Sequence, residues 1–375
     1  MTAHPPLPQA IRYIPLLPRA RPPALPPRRR ITELNDLLHT AAHTPNAAEG
    51  LVRASEAMNK AALIASDTGK PAVARHLCWQ HYDLFTQAAP LTARAATLAL
   101  QPLVNLGRLA IRAGQTTTAY EIFDDLFAAT THEQIAIVEG RACAVADLVS
   151  SPPERLDLRR FLWAVLLADG TRALCSSGRW QDALAHLHRH NGIGKRLLDG
   201  RQVAVIAALQ RHEPDTARKY LEEADCLEQW EKAMAACLTT TTVRAANHDP
   251  TEAIAAMTRT LTDLPTTPGG AVFAARIGTL ACELAPRHRT LAANLINSVM
   301  GSDDAHAAAV VLDSPVAEME LSPQQHEALH GRVARAELAS ADLPPSLAED
   351  LAVVCDRAAA HLTRHLGQLG THPTQ

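Results

Sequence analysis

From Thr32 onward, apolar residues recur three and four positions apart, the spacing that lines one face of an α-helix. Asn46 can cap a helix over 47–67, and Gly69 and Pro71 separate it from one at 71–87. Pro90 opens a long helix to Ala113, and Thr116 caps the next. The pattern then predicts helices near 131–149, 152–177, 179–190, 195–211, 214–225, 227–247, 250–264, 270–285 and 288–300, with a shorter piece at 303–313. Ser322-Pro323, a serine cap followed by proline at the first helical position, starts a final pair over 322–340 and 345–366. Leu343-Pro344-Pro345 separates its two members, and no stretch reads as a strand. The fold class expected is all-α.

A shorter rhythm runs through these helices: a turn residue, an alanine about five residues on, and a large apolar residue four later. In LGRLAIRAGQTTTAYEIFDDL, Gly107 packs a first helix, Gly114 breaks it, and Ala119, Phe123 and Leu126 stripe the second. In SSGRWQDALAHLHRH, Gly178, Ala183 and Leu187 stand in the same relation. Anchoring on the alanine gives Ala74, Ala119, Ala183, Ala217, Ala253 and Ala292, at intervals of 45, 64, 34, 36 and 39 residues. One helix pair cannot bury its own apolar face, so repeated pairs are expected to stack.

Leu106-Gly107, the Ala119-x₃-Phe123 spacing and the GRWQDAL turn at 178–184 resemble the tetratricopeptide-repeat family, whose period is 34 residues. The resemblance covers roughly residues 47–300 and implies a degenerate solenoid of helical hairpins. Ala74 is followed by Cys78 where the consensus has an aromatic, and the turns at His212 and His248 lack glycine. The repeat style is also similar to the arrays of actinobacterial helix-turn-helix regulators, although the stretch before the first repeat is too short for their DNA-binding module. The expected division is a disordered Pro/Arg-rich arm over 1–31, a repeat array over 32–313, and a C-terminal helical hairpin and tail over 314–375.

Composition agrees with helices. The chain is 47% hydrophobic but only 3% aromatic, and small alanine lets helices approach closely. A net charge of −3 gives no field to attract nucleic acid. Five of the 36 basic residues are lysine and the rest arginine, an excess read as compositional because no segment forms a basic domain. Seven scattered cysteines without a CxxC pair point to a reducing, cytoplasmic setting and to neither a disulfide framework nor a zinc ribbon. No apolar run is long enough to span a membrane.

Candidate chemistry is sparse. FDDLF at 123–127 is similar to the aspartate-rich motif of terpene cyclases, but Ala128 stands where a further carboxylate is needed. HEALH at 326–330 carries the zincin spacing, two histidines on one helix face with a glutamate between them. Histidine pairs four apart recur at His39/His43, His186/His190 and His361/His365, which favours a solvated face over a metal site. An antiparallel hairpin turning near 343 would bring His361 level with His326 and His330, the alternative metal set. Asn105, Arg108 and Arg112 form one polar stripe on a first helix, and Arg172 holds a similar place in its own unit. In tetratricopeptide arrays such residues clamp the carboxylates of bound peptides.

The sequence therefore reads as a non-catalytic helical scaffold without a cofactor. It would bind a protein or peptide in a regulatory or assembly role, with a link to transcription or secondary metabolism. Two other classes stay open: a helical small-molecule or peptide sensor, and an HExxH zinc-dependent hydrolase.

Overall fold

The computed structural model describes residues 6–19, 21–132, 134–265, 269–340 and 344–370. Its first half contains α1 (Pro27–His43), α2 (Ala47–Asp67), α3 (Pro71–Thr86), α4 (Ala93–Arg112), α5 (Thr116–Thr131), a hairpin of β1 (Ala136–Val138) and β2 (Arg141–Cys143), α6 (Pro152–Val165) and α7 (Thr171–Ser176). There follow α8 (Trp180–Arg189), α9 (Asp199–Gln210), α10 (Pro214–Glu222), α11 (Gln229–Ala245), α12 (Thr251–Thr262), α13 (Ala271–Leu284) and α14 (Arg289–Met300). The chain ends with α15 (Ala305–Leu312), α16 (Pro315–Glu318), α17 (Pro323–Arg335) and α18 (Pro345–Gly370). The all-α expectation holds.

One turn recurs between these helices. Gly69, Gly114, Gly178, His212 and Asn247 all have left-handed backbones, with φ of 74°, 74°, 75°, 59° and 56°. After each, the next residue's N–H bonds back five positions: Lys70 to Ala65, Gln115 to Ala110, Arg179 to Leu174, Glu213 to Ala208 and His248 to Val243. This closure, the Schellman motif, satisfies the last carbonyls of one helix and aims the chain into the next. The alanine anchors Ala74, Ala119, Ala183 and Ala217 are each 0% exposed, as small residues packed between helices should be. Ala292 is buried as well, whereas Ala253 is only half-buried and Met257, four residues on, is fully buried.

The chain forms two compact units, each made from two stretches. Unit 2 combines Leu25–Ala173 with Ala336–Gln375. In it, α2 packs against α1 and α3, α3 against α4, and α4 against α5, while α18 returns to cover α1 and α2. Its core runs through Leu34, Met58, Phe85, Leu100 and Leu126 to Leu362. The β-hairpin lies within the helix expected at 131–149. Glu139 and Gly140 both adopt positive φ, forming a two-residue turn, and burial alternates along β1. Arg75 and Trp79 on α3 donate to Glu139 at 2.7 and 3.3 Å, tying the hairpin to that helix.

Unit 1 combines Met1–Ala24 with Leu174–Arg335. Successive pairs from α8 to α12 pack side by side, and α13 packs against α14 and α15. Part of the stretch expected to be a disordered arm is docked here: Gln9–Tyr13 form a 3₁₀ turn, and Ala10, Ile11, Ile14 and Leu16 are buried, while residues 27–31 begin α1 of unit 2. Its backbone is satisfied by side chains. The Leu16 N–H donates to Gln202 Oε1 at 2.8 Å while Gln202 Nε2 donates to Leu16 O at 3.1 Å. Ala10 and Ala24 donate to Glu283 and Asp304. Proline leaves few donors in this tract, so a handful of acceptors suffices to bury it. The expected C-terminal hairpin is also divided, α17 belonging to unit 1 and α18 to unit 2.

Candidate functional site

Unit 2 presents a hydrogen-bonded polar ladder at the predicted arginine positions. Asn59 on α2 donates to Gln101 on α4 at 2.9 Å, and Asn105 donates to Asn59 at 3.0 Å. Arg108, one turn further along α4, donates to Asn105 Oδ1 at 3.3 Å and through Nε and a terminal nitrogen to Asp169 at 3.3 and 2.8 Å. Asp169 sits in a single π-helical turn, Leu166–Gly170, between α6 and α7. Such turns displace side chains from the regular helical faces and concentrate at functional positions. The Asp169 side chain is 3% exposed, and Arg172 approaches its other oxygen at 3.6 Å.

A second node completes the stripe. Arg112, the last residue of α4, donates to Asp67 at 3.0 Å and to Ser66 at 2.6 Å, and buried Arg30 pairs with the same Asp67 at 3.0 Å. Four guanidinium groups thus face two buried carboxylates. Arg108, Arg112 and Arg172 keep 52%, 38% and 34% of their side chains exposed. The structure brings Asn105, Arg108 and Arg172 into one network and places Arg112 on the neighbouring node. Asp169 and Asp67, which hold the arginines in place, were not singled out from the sequence. A buried aspartate facing an arginine stripe across helices leaves no periodic signal.

Unit 1 carries the other candidates. A cavity of about 520 Å³ is lined by Leu227, Trp230, Phe273, Leu264 and Pro265 among others, with Trp230 and Phe273 edge to face at 6.3 Å between ring centroids. At α16 and α17, His326 Nε2 lies 3.1 Å from Glu318 Oε1 and 3.2 Å from His330 Nε2. His361 belongs to the other unit, where burial, reinforced by Arg364, His365 and Arg357, lowers its pKa.

The remaining histidine pairs do other work. His186 and His365 are each 2% exposed, and His365 Nε2 faces the Ala41 carbonyl at 2.9 Å. His43 bonds the His39 carbonyl at 2.8 Å. His81 contacts Ser55 Oγ at 3.0 Å, but burial pushes its pKa down to about 3 and neither group is open to solvent, which suits a structural bond. Among the described residues no disulfide forms, and burial raises the Cys78 and Cys237 thiols to about 12, making them inert. Phe123 of FDDLF packs in the core beside Gly107. Among the described residues, no helix is long and apolar enough to cross a membrane. The chain matches no family model, no curated protein and no solved structure.

Proposed function

We propose that this protein is a non-catalytic, degenerate tetratricopeptide-like scaffold that binds an acidic segment of a protein or peptide partner on the arginine ladder of unit 2. The observation that carries this reading is Asp169, one buried carboxylate shared by two arginines that both remain partly exposed. Its fixed charge orients Arg108 and Arg172 in advance, so a ligand carboxylate meets preformed donors and loses less side-chain entropy on binding. The ladder through Asn105 and Asn59 adds neutral donors and acceptors along the same face, suited to an extended peptide backbone.

The test is calorimetric titration with an Asp/Glu-rich peptide and with its Asn/Gln counterpart. Selective binding of the acidic peptide, weakened at least tenfold in the paired variant Arg108→Gln/Asp169→Asn, is expected. That pair removes one charge of each sign, and Arg172, which also faces Asp169, is 34% exposed and can be solvated, which keeps the fold intact. Equal binding of both peptides, or an unaffected variant, would reject the reading. The unit 1 cavity supports a second one, a sensor for a small apolar ligand stacked on Trp230 and Phe273. Ligand-induced thermal shifts abolished by Trp230→Ala would favour it.

A further inference from the structure

We infer that Glu318, His326 and His330 form a binding site for a zinc-class divalent metal ion in unit 1. The three ligand atoms, one from each residue, lie within 4.8 Å of one another. Zinc bonds of about 2.0–2.1 Å in a tetrahedron hold neighbouring ligand atoms about 3.3 Å apart. The contacts of His326 with Glu318 and His330, at 3.1 and 3.2 Å, already sit near that separation. The remaining span, between Glu318 and His330, is at most 4.8 Å, and side-chain rotation at a half-exposed position can adjust it.

Proton bookkeeping favours the same conclusion. His326 Nε2 carries at most one hydrogen, yet faces a carboxylate oxygen and a second imidazole nitrogen. In either tautomer that nitrogen cannot donate to Glu318 and accept from His330 at once, so the three ligand atoms are not all satisfied by one another. A dication satisfies all three at once. Two imidazoles and a carboxylate suit zinc and its neighbours in the transition series far better than magnesium or calcium, which prefer all-oxygen sets.

The sequence favours no metal here, and the site differs from the alternative metal set of His326, His330 and His361 in its third ligand. Glu318 ends the preceding short helix, whereas His361 belongs to unit 2. It also differs from a peptidase centre. The Glu318 and His326 side chains are 42% and 43% exposed, whereas catalytic zinc works in a shaped, dry cavity. A clamp is the role that fits. Leu329 buries the middle of α17, and Arg332 secures the C-terminal part of the helix by donating to the Val299 and Met300 carbonyls at 2.6 and 3.2 Å. Metal at its first two turns would fasten the other part to α16 across Met319–Ser322.

The experiment uses the full chain, untagged and stripped with chelator, dialysed against zinc chloride and separately against magnesium chloride, with metal counted by mass spectrometry. One zinc per chain and no retained magnesium are expected, with a rise in Tm on zinc addition of about 2 °C or more. His326→Ala, His330→Ala and Glu318→Gln should each weaken zinc binding at least tenfold, and His361→Ala should leave it unchanged. None of the three ligand side chains is buried, so the variants should fold, which circular dichroism checks. Sub-stoichiometric zinc, or full binding retained in His326→Ala, would overturn the site. Loss of zinc in His361→Ala would overturn the assignment of Glu318.

Discussion

A β-carbon placed on Gly107 would stand 2.5 Å from the ring of Phe123. These residues lie on α4 and α5, the two helices joined by the left-handed turn at Gly114, so the absence of one side chain makes room for the other. Gly107→Ala is expected to destabilise the protein by about 1–3 kcal/mol through overpacking. Phe123→Leu should recover part of that loss in the double variant, since the two sites share one volume. Thermal melts of the four proteins check it; strict additivity would contradict the contact.

The recurrent turn makes a backbone prediction. Gly114 has φ of 74°, and a β-carbon added there would meet nothing within 4 Å, so Gly114→Ala tests conformation alone. A cost of about 1–2 kcal/mol is expected from the left-handed region. Asn247→Gly, at φ 56°, should be neutral or slightly stabilising because glycine populates that region freely. Urea midpoints of opposite or unequal sign for the two variants would support the shared turn.

Docking of the N-terminal tract rests on Gln202, which is 0% exposed and also donates to the Leu197 carbonyl at 3.1 Å. Gln202→Leu strands the Leu16 N–H and carbonyl in the interior. A loss of about 1–3 kcal/mol is expected, together with faster limited proteolysis of the tract that ends at Ala24. Removal of residues 1–24 should destabilise unit 1 for the same reason, contrary to the behaviour of a free arm.

His81 sets a pH dependence. Burial lowers its folded pKa to about 3, below the ordinary value of 6.5. The unfolded chain therefore binds the extra proton first, and this contribution to stability is full above pH 6.5 and declines as pH falls toward 3. His81→Gln keeps a polar partner for Ser55 and removes the titration. The slope of denaturation free energy against pH, from about 4 up to about 6.5, should be shallower in the variant. An unchanged slope would refute the burial argument.

Much of the fold was legible because it is local. Helical spacing, the glycine turns and the alanine anchors act over a few helical turns, so Ala74, Ala119, Ala183 and Ala217 could be placed in the core from sequence alone. The hairpin at 136–143 was missed because its strands are three residues long and its turn, Glu139-Gly140, is not among the strongest hairpin signals. The arginine stripe was visible, but its partners Asp169 and Asp67 come from other helices, and for Arg108–Asp169 the separation is 61 positions.

Sequence by itself determined that this chain is helical, where its hairpins turn, and which small residues let them pack, since propensity, capping and periodicity operate over a few turns of one helix. Tertiary structure alone decided that Ala10, Ile11, Ile14 and Leu16 are buried, that α17 and α18 belong to different units, and that Glu318 joins His326 and His330. Those outcomes depend on which distant surfaces exclude water together, a competition among many contacts that no short pattern encodes.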